Sequence, residues 1–146
     1  MKNDKPLRER ELQRLCAMHF SQLGFLTCEE VPFLFKVADL FCFHEGSGEC
    51  LAVEVKIRDW RRALKQACVY LMMADKVYIA LHDGSVDSAD LDALSDVGVG
   101  LLAISRSGCI RTVLEAPPSS RRISHFVARA VATAFPGTIS PACLAL

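Results

Sequence analysis

A chain of 146 residues, 51% of them hydrophobic, is long enough for one domain with a real core and too apolar to read as a disordered segment. Its 17 basic and 17 acidic residues cancel, which argues against a broad nucleic-acid-binding surface while leaving room for a local one. No apolar run approaches the ~20 residues that a membrane-spanning helix needs, so no membrane association is expected. The polar start, Met1-Lys-Asn-Asp-Lys-Pro6, has no apolar signal segment, and the 7 cysteines include no Cys-x-x-Cys pair. Both point to a reducing cytoplasm rather than to a disulfide framework.

In chain order, residues 7–23 read as a helix, with Leu12, Leu15, Cys16, His19 and Leu23 at helical spacing and Gly24 as a natural stop. Residues 25–30 read as a first strand, and Pro32 is expected to break any regular ladder. Residues 37–44 and 50–57 read as two strands joined by the turn Glu45-Gly-Ser-Gly-Glu49, which predicts an antiparallel hairpin. Asp59 is a good N-cap for a helix from residue 60 to about residue 73, packing through Ala63, Ala67, Tyr70 and Leu71. Residues 76–82 form an apolar strand, 87–96 a weakly amphipathic helix, 99–105 another strand, and 109–114 a short returning strand after a turn at 106–108.

Residues 117–120 read as a linker in which Ser119 or Ser120 caps a last helix over 121–135, with Ile123, Phe126, Val127, Ala130, Val131 and Ala134 as its apolar stripe. The apolar tail, residues 136–146, is expected to dock on the body or on a partner chain. It ends in Cys143-Leu-Ala-Leu146, which has the form of a prenylation signal but is preceded by no polybasic run. Strands alternating with helices around a central hairpin predict an α/β fold, a mixed sheet flanked by helices. We expect one domain over residues 1–146, with a core from about 7 to 115 and a C-terminal helix and tail from 119.

Three ionisable residues stand out because they are embedded in strand-like apolar sequence. Asp39 precedes Leu40-Phe41-Cys42-Phe43, and Glu54 and Lys56 come after Leu51-Ala52-Val53. Burying such groups is costly unless they are paired. Glu54 and Lys56 are two apart and share a strand face, and Asp39 reaches that face if the two strands pair. Two carboxylates and an ammonium there suit a hard divalent cation and a bound water. Gln66 and Tyr70, at i and i+4, project together from the next helix. Arg58, Arg61, Arg62 and Lys65 crowd the start of that helix, as phosphate contacts or as a solvated basic face. Cys42, His44 and Cys50 flank the hairpin without the usual zinc spacing.

Asp39, the triplet Glu54-Val55-Lys56, and Gln66 with Tyr70 together resemble the PD-(D/E)XK nuclease superfamily, in particular its Holliday-junction resolvase and recombination-exonuclease branch. The resemblance covers roughly residues 9 to 82, with Ala38 standing where that superfamily usually has a proline. It implies a restriction endonuclease-like fold and a metal-dependent DNA nuclease of repair, recombination or restriction. It also implies Mg²⁺ or Mn²⁺ held by Asp39, Glu54 and the Val55 carbonyl, with Lys56 acting on the attacking water and Gln66 and Tyr70 shaping the site. Related nucleases often place a Glu from the first helix at the metal. Glu9 and Glu11 are the candidates here, and Leu15 and His19, continuing the side of Glu11, favour Glu11. The alternatives are a nuclease-fold domain without catalysis that binds DNA or protein, or a subunit whose DNA surface lies on a partner or across a homodimer. Endonuclease and exonuclease action are both left open.

Overall fold

The computed structural model describes residues 6–138. Helix α1, Glu9–Gln22, leads into strands β1, Leu26–Phe33, β2, Lys36–Phe43, and β3, Cys50–Lys56. Helix α2, Trp60–Tyr70, is followed by β4, Lys76–His82, a 3-10 helix over Asp83–Ser88, α3, Leu91–Val97, β5, Gly100–Ile104, β6, Ile110–Leu114, and α4, Ser124–Ala134. The six strands form one sheet in sequence order, β1-β2-β3-β4-β5-β6. β1, β2 and β3 pair antiparallel, β3, β4 and β5 parallel, and β5 and β6 antiparallel. The mixed α/β sheet expected from the sequence is present.

The pleat sorts apolar side chains into two cores. Cys50 and Ala52 of β3 pack with Ala63 and Ala67 of α2, Leu94 of α3, and Val127 and Val131 of α4. Leu51, Val53 and Val55 face the other way, onto Leu12, Cys16 and Phe20 of α1. With both faces covered, β3, antiparallel to β2 and parallel to β4, reads as a nearly continuous apolar run, interrupted by the buried Glu54. Asp59 caps α2 as expected, its carboxylate accepting the Arg62 N–H.

Local details differ from the sequence reading. β1 runs through Pro32 to Phe33, with Pro32 opposite Val37; an edge strand has a neighbour on one side only and so tolerates the missing N–H. The helix expected over 87–96 is divided into the 3-10 helix and α3, whose cap is Asp90, accepting from the Asp92 and Ala93 N–H groups. Neither Ser119 nor Ser120 caps the last helix, which starts at Ser124. Ser119 instead donates its hydroxyl to the carbonyl of Leu71, closing the far end of α2. Among the described residues no helix is long and apolar enough to cross a membrane. The described cysteines are free thiols. The tail from 139, with Cys143, lies outside the described residues.

Candidate active site

Pairing between β2 and β3 runs from Phe43 opposite Cys50 to Leu40 opposite Val53. Asp39 and Glu54 are the next residues on either strand, and there the regular pairing stops. Ala38 belongs to the core beneath α2, whereas Leu40 belongs to the core beneath α1. Residues two apart on an undistorted strand would share a face, so β2 changes face at Asp39. Beside it, Glu30 of β1 takes a left-handed φ of 58°, a conformation uncommon outside glycine and asparagine. The Asp39 carboxylate occupies the opening and accepts the Val55 N–H at 2.8 Å.

Glu54 is 2% exposed. Its Oε2 lies 2.8 Å from the Tyr70 hydroxyl, which is also 2.8 Å from the Val37 carbonyl. One phenolic proton cannot serve both acceptors fully. A proton on Glu54 would be donated toward Asp39, while the Tyr70 hydroxyl stays the donor toward Glu54 and the Val37 carbonyl. Burial first, and the negative charge of Asp39 second, push the Glu54 carboxyl up to about 8. Burial also raises Asp39, against the lowering effect of the Val55 N–H and of Lys56.

Lys56 lowers both carboxyls and completes the cluster, while its Nζ lies 3.7 Å from Oε2 of Glu9. Of the two helix-one acids, Glu9 is thus the one paired with Lys56, where the sequence reading favoured Glu11; both are exposed. The buried stripe of α1 runs through Leu12, Gln13, Cys16 and Phe20, and Glu9 sits one turn before Leu12 and Gln13 on that side. Gln13 is buried because its amide donates to the Glu29 carboxylate at 3.0 Å.

Gln66, one turn before Tyr70, opens onto a cleft of about 530 Å³ shared with Lys36, Asp59, Arg61, Arg62 and Lys65. Three of the four expected phosphate contacts thus gather there. Arg58 does not; it lines a separate depression with Ile57, His82 and Arg106. Lys36, which the sequence reading did not select, joins the cleft from the start of β2. Arg61 is steadied by the Trp60 ring, 4.7 Å from its guanidinium carbon. The lining of the cleft includes neither Asp39 nor Glu54; Lys36 lies three residues before Asp39 along β2.

Asp39 and Glu54 offer hard oxygen donors whose mutual repulsion a divalent cation would relieve in place of a proton. Among the described residues no three His, Cys, Asp or Glu side chains gather as a ready ligand set. A cation here would take two carboxylates, completed by backbone carbonyl and water.

No family model matches the chain, and no curated protein matches it. Solved structures do. A protein of unknown function from Silicibacter pomeroyi is similar with a TM-score of 0.67 and 20% identity, over 89% of this chain and 86% of that one. A repair endonuclease from Pyrococcus abyssi aligns with a TM-score of 0.46 and 15% identity, over 71% of this chain and 50% of that one. SfsA from Pyrococcus furiosus, solved in complex with Ca²⁺, aligns at 0.42 and 14%, over 74% and 64%. The first of these shares the fold.

Proposed function

We infer that this chain is a metal-dependent phosphodiester hydrolase acting on DNA, of the PD-(D/E)XK kind. The observation that carries this reading is the meeting of Asp39 and Glu54 where β2 and β3 part, with Lys56 acting on both carboxyls. Asp39 and Glu54, with the Val55 carbonyl, would hold Mg²⁺ or Mn²⁺. When bound, the cation supplies Lewis acidity toward a phosphoryl oxygen and acidifies its water. Lys56 orients that water and stabilises charge developing on the phosphate, while Glu9 restrains the ammonium. Tyr70 fixes the rotamer of Glu54, and Gln66 marks the edge of the basic cleft along which phosphates would run.

The test is incubation with linear, nicked, branched and supercoiled DNA, with Mg²⁺ or Mn²⁺ and with chelator. Cleavage that needs metal and disappears in Glu54→Gln supports the reading. Absence of cleavage on every form with either metal would move the assignment to a second reading, a nuclease-fold domain that binds DNA without cutting it. The near-complete burial of Glu54 favours that alternative, because a metal ligand must also admit water and substrate.

A further inference from the structure

The β1–β2 hairpin closes at the pair Phe33 and Lys36, so Leu34 and Phe35 form its tip. Both are presented to solvent, and Phe35 is 85% exposed. Leu34 takes a left-handed φ of 53°, a backbone state that a leucine adopts at a steric cost. A turn that must be left-handed would ordinarily carry glycine or asparagine, with a polar neighbour. An apolar tip therefore lowers both stability and solubility unless it meets something. The next residue, Lys36, lines the cleft with Arg61, Arg62 and Lys65, against one acid, Asp59. An exposed aromatic ring set beside such a cationic cleft matches a polyanion that also offers flat apolar faces. Among biological polyanions, nucleic acid with unpaired bases has both. Bases stacked inside a duplex show neither face to a side chain. Phe35 lies four residues before Asp39, about 13 Å at the ~3.3 Å per residue of extended chain, so a strand held in the cleft can reach both.

We propose that Phe35 stacks on an unpaired base of a DNA strand whose phosphates lie in the Lys36–Arg61–Arg62–Lys65 cleft, making single-stranded or branched DNA the substrate class. This rests on the DNA-directed reading above, but not on catalysis.

The experiment is equilibrium binding of labelled single-stranded and duplex oligonucleotides by fluorescence anisotropy, in chelator so that nothing is cut. Phe35→Ala should weaken single-strand binding by roughly tenfold or more while leaving duplex binding and the salt slope unchanged. Phe35→Trp should retain affinity, and its added fluorescence should be quenched by the single strand. Equal losses on both DNAs, no loss on either, or no binding to either would overturn the proposal. So would a wild-type dimer that Phe35→Ala converts to monomer without changing DNA binding, which would make the tip a contact between copies of the chain. Cleavage is scored separately with Mg²⁺. Phe35-dependent binding without cleavage sinks the hydrolase reading alone; cleavage with binding indifferent to Phe35 sinks this proposal alone.

Discussion

The hydroxyl of Tyr70 on α2 and the carboxyl of Glu54 on β3 stand 2.8 Å apart, buried between helix and sheet. This bond lowers the Glu54 pKa against the two larger effects that raise it. Tyr70→Phe removes it and leaves the Val37 carbonyl without its phenol. We expect a loss of about 1–3 kcal/mol in denaturant unfolding, the usual cost of stranding buried polar groups. The pH at which metal binding begins should also move upward, read by calorimetric titration across pH. A variant with wild-type stability and an unmoved pH onset would show that the phenol does not hold the acid.

Stability of the metal-free protein should fall as pH rises from about 4.5 to about 8. Over that window folded Glu54 keeps a proton that the unfolded chain releases, so the folded state binds more protons. The contribution is whole below the ordinary glutamate value and is lost as pH passes through the raised one. Its slope cannot exceed about 1.4 kcal/mol per pH unit for one proton. His19, lowered by burial, works in the opposite sense near its ordinary value of 6.5, so the informative quantity is the difference from Glu54→Gln. That variant should lose the decline, measured by thermal unfolding in chelator. Mg²⁺ should restore stability most at the alkaline end.

Lys56→Ala should leave folding intact and DNA binding within a few-fold, yet reduce cleavage by ~10²-fold or more, as for a group that acts in the transition state. Lys56→Arg should rescue only part of the rate, because a planar fork cannot replace a compact ammonium. Glu54→Gln should lower metal affinity along with the rate. Glu9→Gln should reduce cleavage by releasing the ammonium, whereas Glu11→Gln should not; equal effects of the two would undo the placement of Glu9.

Binding of DNA should weaken with salt through the cleft. Arg61→Ala with Arg62→Ala should reduce the salt slope by roughly one unit for each lost contact, and Lys36→Ala should add to it. Arg58→Ala should leave the slope alone, since Arg58 faces another depression. Slopes measured by anisotropy between low and moderate salt decide the matter.

Patterns that act along one or two strands were legible in the sequence. The pairing of β2 with β3, the strand Lys76–His82 and the Asp59 cap all arise from local rules, and strand pairing brings Asp39 beside Glu54. What was illegible depends on partners distant in sequence. Gln13 looks like a surface residue until Glu29 accepts its amide, and without it the apolar stripe of α1 seems rotated toward Glu11. Ser119 looks like a cap for the last helix, but the unsatisfied carbonyl that it meets is at Leu71. Lys36 enters the cleft only because β2 runs beside α2. The split before α3 reflects a short acidic stretch where Asp90 starts a helix late.

The bond from the Val55 N–H to the Asp39 carboxylate joins the sheet together where its own ladder has given out. A protein with this sheet that cut nothing would still need an acceptor at that point to fold well. Aspartate or asparagine at position 39 is thus a poor witness to enzymatic activity, and Asp39→Ala is a poor test of it, because folding and chemistry fail together. Asp39→Asn retains an oxygen for Val55 while giving up the charge, and so separates what the sheet requires from what a reaction would.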